Sequence, residues 1–282
     1  MITPLILILA GMLVPMGVSA AENLKTPQSP SQPLTDSSKR RNPALAISAE
    51  SVLEKLTKKQ KMILVDVRRR EKFEKFNIPG SINIPLFAIK TKPFLKAKPL
   101  ILVNEGYTYT NLERECERLR KSGFNVWLLN GGLNYWRALG APLRGDLFSQ
   151  KALNKISPRD FHAEKDNDSW LMIDVSPSKS TDARSLIPQS IFIPRLKEEK
   201  KFILTLKRTL ATYRAKPFVS VLIWNEKGEQ YDDIEKIVRN ANFKNVFYLK
   251  GGVDAYRKFL EEQAVSRQAG HEKKLQKCSN CP

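Results

Sequence analysis

The sequence predicts an α/β fold in two copies, each a mostly parallel sheet flanked by helices. Three observations carry that expectation. Short apolar runs, Met62-Ile63-Leu64-Val65 ahead of Asp66 and Trp170-Leu171-Met172-Ile173 ahead of Asp174, have the length and composition of strands buried on both faces. Segments of helical periodicity alternate with them, as parallel βαβ units require. Landmarks of the first half then recur in the same order in the second. Ile78-Pro79-Gly80-Ser81-Ile82-Asn83-Ile84-Pro85 is echoed by Ile187-Pro188-Gln189-Ser190-Ile191-Phe192-Ile193-Pro194, and Val126 to Gly131-Gly132 by Val246 to Gly251-Gly252. An internal duplication follows.

Residues 1–21 carry no charged side chain, and an apolar stretch leads to Val18-Ser19-Ala20, small residues of the kind a signal peptidase reads. A cleaved signal peptide is expected over 1–21, which puts the rest of the chain in the periplasm or outside the cell; an uncleaved membrane anchor is the alternative. Residues 22–46, rich in Pro, Ser, Gln and Lys, read as a flexible linker. The first domain is expected over 47–145. Ser48 caps a helix reaching Gln60, strands follow at 62–67 and 99–103, and a helix over 110–122 is stopped by Gly123. A strand at 126–129 and a helix at 133–139 complete it. A linker around 143–155 leads to the second domain over 156–262, with strands at 170–175, 218–224 and 246–249 and helices at 231–240 and 253–262. Residues 263–282 read as a polar tail ending in Cys278-Ser279-Asn280-Cys281.

The chain has 282 residues, enough for two ordinary domains, and 48 basic against 29 acidic residues give a formal charge of +19. The Lys and Arg are dispersed, the densest stretches being 197–201 and 207–214, so no element is a basic stripe. Nucleic acid is therefore a disfavoured partner, while an anionic membrane surface stays open. Three cysteines are too few for a disulfide scaffold. Cys116, at helical spacing from Leu119, reads as a packed core thiol. With two His and a single C-x-x-C no complete zinc site is expected, and no cofactor motif is present.

The chemistry of such a fold belongs where a strand ends in a tight loop ahead of a helix. Here Ile101-Leu102-Val103-Asn104-Glu105-Gly106 and Val221-Leu222-Ile223-Trp224-Asn225-Glu226-Lys227-Gly228 make two such places, and both loops open with Asn-Glu. Asn is not a nucleophile. Asp66 and Asp174 close their strands, either bonding loop amides behind a pocket or simply capping the strand end. Arg68 either pairs with an acid or faces the pocket.

These residues resemble the rhodanese family in tandem. In the first half the match runs through Val65-Asp66-Val67-Arg68, Phe76 to Pro85, and Gly123 through Gly131-Gly132-Leu133-Asn134-Tyr135-Trp136 to Leu143. The second half departs more, with Ser176 after Asp174-Val175, Gln189 after Pro188, and Tyr256 in the place of Trp136. The resemblance implies a loop that begins with a Cys, whose thiolate takes sulfur from a donor such as thiosulfate and is cradled by loop amides and a helix N-terminus. By position Asn104 and Asn225 occupy that nucleophile's place. Asp66, Arg68, Glu105, Gly106, Asp174, Glu226 and Gly228 fall around the pocket. Gly228 keeps the family's spacing and Gly106 comes early, so the first loop is not expected to form the same cradle. The expectation is a non-catalytic pair of domains that binds an unidentified protein or a small anionic ligand through pockets between the Asn loops and the Gly-Gly turns. The alternatives are sulfur-transfer or thiol-disulfide chemistry at Cys278 and Cys281, and an electrostatic adaptor on an anionic surface.

Overall fold

The computed structural model describes residues 41–195, 198–214, 216 and 218–279, with side chains described through residue 269. The expected signal peptide, most of the expected linker and Cys281 lie outside the described residues.

In the first half, Ser48 accepts a hydrogen bond from the Ser51 amide, capping α1 (Ala49–Thr57) directly after β1 (Ala46–Ile47). Next come β2 (Ile63–Asp66), α2 (Arg70–Lys75), β3 (Phe76–Asn77), β4 (Ile82–Asn83) and β5 (Leu100–Val103). Then follow α3 (Thr110–Lys121), β6 (Val126–Leu129), α4 (Gly132–Ala138), β7 (Arg144–Gly145) and α5 (Leu147–Lys151). The second half runs through β8 (Lys155–Ile156), α6 (Pro158–Glu164), β9 (Trp170–Asp174), α7 (Thr181–Leu186), β10 (Ile191–Phe192) and α8 (Glu199–Arg214). It ends with β11 (Ser220–Trp224), α9 (Tyr231–Asn240), β12 (Val246–Leu249) and α10 (Gly252–Ser279).

Each half holds one five-stranded parallel sheet, in the order β1-β6-β5-β2-β4 and, from the matching edge, β8-β12-β11-β9-β10. Every strand of one sheet thus has its counterpart in the other, which is the duplication seen in three dimensions. The period of two explains the apolar runs. Leu100 and Leu102 of β5 pack with Leu112, Cys116 and Leu119 on one face, while Ile101 and Val103 meet Ala49, Val52, Leu133 and Trp136 on the other. On β11, Val221 and Ile223 face Phe202, Leu206, Leu210 and Ile234, and Leu222 and Trp224 face Phe161, Val253 and Tyr256. Each fully buried Leu or Ile in these layers contributes about 1.5–3 kcal/mol.

The structure corrects the sequence reading in three places and adds one helix that the sequence reading leaves unassigned. Ordered packing is already present at Arg41 and Leu45, both buried, so the expected linker does not extend to 46. Asn42 caps a 3-10 turn over Pro43–Leu45, and Ala46 pairs with Leu128. The expected linker at 143–155 is instead β7, α5 and a 3-10 turn leading to β8; β7 pairs antiparallel with β3 and Asp146 caps α5. The basic stretch around 199–214 forms α8, with Phe202, Leu206 and Leu210 aligned on one buried face. The expected polar tail continues α10 to Ser279, because 263–269 is rich in Gln, Ala and Arg, good helix formers. Among the described residues no helix is long and apolar enough to cross a membrane.

Candidate functional site: two Asn loops at the sheet ends

Loops 104–109 and 225–230 leave the C-terminal ends of the central strands β5 and β11 and enter α3 and α9. Each carries its backbone across the Gly-Gly turn that begins the last helix of its half. The Leu133 and Asn134 amides donate to the Asn104 and Glu105 carbonyls at 2.9 and 3.0 Å, and the Val253 and Asp254 amides donate to those of Asn225 and Glu226 at the same distances. The first turns of α4 and α10 thereby spend donors that a helix start leaves unpaired.

Glycine makes this approach feasible. Gly106 and Gly228 sit at φ +116° and +70°, and a Cβ on them would fall 2.1 Å from the Gly131 carbonyl oxygen and 2.2 Å from the Gly252 nitrogen. The one-residue offset between Gly106 and Gly228 is absorbed, and both loops close on their turns in the same way. The loops still differ at the Asn oxygen, since Asn225 Oδ1 accepts from the Gly228 amide while Asn104 Oδ1 has no partner among the described residues. The structure corrects the expected location of a pocket, since loop and turn touch through backbone and leave no space between them. An open cleft of about 240 Å³ lies instead on another side of the first loop, lined by Val67, Arg68, Leu86, Asn104, Glu105 and Thr108 among others.

Each Asn side chain is bonded back across its own loop. Asn104 Nδ2 donates to the Thr108 carbonyl at 2.6 Å and to Thr108 Oγ1 at 3.0 Å. Asn225 Nδ2 donates to the Glu229 carbonyl at 2.8 Å, and its Oδ1 accepts from the Gly228 amide at 2.6 Å. The same span of four residues is bridged in both loops. A tyrosine hydroxyl ties each loop to the end of the neighbouring strand. Tyr109 accepts from the Gly131 amide, and Tyr231 accepts from the Asn225 amide while donating to the Leu249 carbonyl.

The charged residues around the loops are mostly committed. Arg68 makes a bidentate pair with Asp66 and donates to the Phe76 carbonyl at 2.7 Å, while Asp66 also accepts from the Arg68 amide. Both side chains are 1% exposed, so the guanidinium is not free to hold a ligand. Asp174 caps its strand end by accepting from the Ser176 amide at 2.9 Å, and burial raises its carboxyl above the usual aspartate range. Glu105 pairs with Lys72 at 2.6 Å. Glu229 and Lys227 are exposed and Glu226 is half-buried. Cys116 is fully buried against the Val126 carbonyl, and burial pushes its thiol up to about 11. Cys278 lies in α10, remote in sequence from both loops.

The first loop has a further role that the sequence reading missed. Tyr107 leaves its own half and packs in the core of the second, edge-on to Phe247 with ring centroids 5.4 Å apart and its hydroxyl 3.3 Å from Asp160. The N-terminus of α3 receives the Glu164 carboxylate of the second half, which accepts from Thr110 Oγ1 at 2.9 Å and from the Thr110 amide. Arg41 stacks on the Tyr109 ring, 3.3 Å from its centroid, and pairs with Glu113. The available signal was the aromatic pair Tyr107 and Tyr109 at positions where the second loop carries Gly228 and Gln230.

A model of the rhodanese-like domain matches residues 48–139 and again 157–259. The chain belongs to the rhodanese-like family. A curated relative from Buchnera aphidicola, the uncharacterized protein BU052, is 37% identical over 95 residues, which is 32% of this chain; the match spans 65% of that relative's length. Among solved structures, BH2092 from Bacillus halodurans is 27% identical with a TM-score of 0.33, over 36% of this chain and 77% of that one. The thiosulfate sulfurtransferase of Pseudomonas aeruginosa is 18% identical with a TM-score of 0.32, over 75% of this chain and 42% of that one.

Proposed function

We propose that this chain is an exported tandem rhodanese-like protein whose loops carry no sulfur, and that it works as a binding or scaffolding module. In this reading Asn104 and Asn225 stand where an active rhodanese has its nucleophilic Cys. The observation that carries it is the bridging of each loop by its own Asn side chain. In the second loop the Gly228 amide, a donor that could face an anionic sulfur, is taken by Asn225 Oδ1. A carboxamide has no thiolate to attack a sulfane sulfur. The neighbouring acids work in the same direction, since a carboxylate about 4 Å from an anionic donor opposes it by about 1–4 kcal/mol, depending on exposure. Export rests on the charge-free segment 1–21 and its Val18-Ser19-Ala20 end.

The test is a thiocyanate assay. With thiosulfate and cyanide the wild-type chain should release no thiocyanate above background, and so should Cys116→Ser. Thiocyanate release that survives Cys116→Ser but is lost in Cys278→Ser/Cys281→Ser would transfer the chemistry to the C-terminal thiols and end the non-catalytic reading.

A further inference from the structure

The two halves meet along a second surface, away from the second loop. Asn225 follows the C-terminal end of β11, whereas Val246, paired with Val221, opens β12 at the other end of the same sheet. There α4 of the first half faces α9 and the start of β12 across an open cleft of about 380 Å³. Its floor is fixed across the seam by Asn134, 2% exposed, which donates to the Val246 carbonyl at 3.0 Å. An adjoining cleft shares Arg137, Glu235 and Arg239 and continues past α5 to Lys151 and Lys155.

Two features of this groove are unexplained by folding alone. The first is its charge. Arg137, Lys151, Lys155, Lys236, Arg239 and Lys244 line the two clefts against Asp232 and Glu235, six basic groups to two acidic. The Arg239–Glu235 pair, 3.3 Å apart, neutralises one of them, with Arg239 three-quarters exposed, and the Lys236–Asp233 pair, 3.2 Å apart, a second. The second is its lining. Asn154 and Tyr248, 4% and 1% exposed, both line the first cleft, and Asn154 Oδ1 and the Tyr248 hydroxyl have no hydrogen-bond partner among the described residues. An orphaned buried polar atom costs about 1–3 kcal/mol, and two beside one basic cleft are an expensive way to build a structural seam.

We propose that this seam groove is a binding site for a small hydroxylated phosphate ester. Arg137, Arg239 and Lys244 match a phosphate dianion better than a single carboxylate, each guanidinium fork donating to two of its oxygens. A hydroxyl on the ester donates to Asn154 Oδ1 and a second accepts from or donates to Tyr248. Both atoms are closed to solvent, so the ligand reaches them as the flexible rim side chains move aside. The size of the first cleft fits a phosphorylated sugar.

Calorimetric titration of the full chain with ribose 5-phosphate at low ionic strength tests it. Saturable binding is expected, falling about tenfold in Arg137→Ala and in Arg239→Ala, and unchanged in Asn225→Cys, which alters only the loop. Tyr248→Phe should weaken binding about three- to tenfold while the thermal midpoint of the free protein holds or rises, since the orphan hydroxyl is gone. The absence of saturable binding, affinity undiminished by Arg137→Ala, or inorganic phosphate binding as tightly as the ester (an adventitious ion only) would overturn the proposal. None of these results bears on sulfur transfer at the loops.

Discussion

The two Asn loops share a backbone and differ in their surroundings. Both start at Asn, both cross a Gly-Gly turn at van der Waals limits, and both are bridged from Asn to the carbonyl four residues on. The first is built into the seam, its Tyr107 in the core of the other half and its helix start occupied by Glu164. The second presents Lys227, Glu229 and Gln230 to solvent. Duplicated loops thus went separate ways without changing their frame, and the difference lies in side chains that point away from the sheet. The first loop joins the two halves, and the second stays exposed.

The shared frame gives the largest predicted effect. Ala at Gly106 or at Gly228 places a Cβ about 2 Å from backbone atoms and should cost at least about 4 kcal/mol in either loop by urea unfolding; tolerance at one of them would mean that the frames are not equivalent. The divergence comes next. Tyr107→Ala should cost about 3–4 kcal/mol, as for other buried aromatics, whereas Lys227→Ala on the exposed second loop should stay within about 0.5 kcal/mol. Equal costs would erase the distinction between a clasp and an open loop.

Glu164 sharpens the comparison through pH. Burial raises its carboxyl above the ordinary value of 4.5, against the lowering pull of its bonds to Thr110. The folded state therefore holds this proton more tightly than the unfolded chain does. The resulting stabilisation is fully present below the unfolded value and is lost as pH rises through the folded one. Glu164→Gln keeps an acceptor for Thr110, so it should lie within about 1 kcal/mol of wild type at pH 7. The stability advantage of wild type over Glu164→Gln should shrink as pH is raised from 4.5; a constant difference would show that the carboxyl is not buried in the seam. A modest effect belongs to the frame of the second loop. Asn225→Ala removes two hydrogen bonds at a half-buried site and should cost about 1 kcal/mol.

The duplication, the central strands and the two loops were legible because buried parallel strands leave unbroken apolar runs and glycines mark the turns. Helix α8 was hidden because Phe202, Leu206 and Leu210 are spaced among lysines and arginines that dominate the local composition. The seam was hidden for a different reason. Tyr107 and Glu164 are separated by most of a domain in sequence, and nothing local says that an aromatic in one loop will complete the core of the other half. Asp66 and Arg68 were readable as neighbours, but their mutual bidentate pairing, which removes Arg68 from ligand duty, required the fold.

The central proposal is that the chain carries no sulfur, at its loops or at its C-terminal thiols. Intact-mass analysis of the full chain after incubation with thiosulfate tests it most directly. The account predicts an unchanged mass. A species about 32 Da heavier, one added sulfur atom as a persulfide would give, that persists in Cys116→Ser and disappears in Cys278→Ser/Cys281→Ser would contradict the non-catalytic reading.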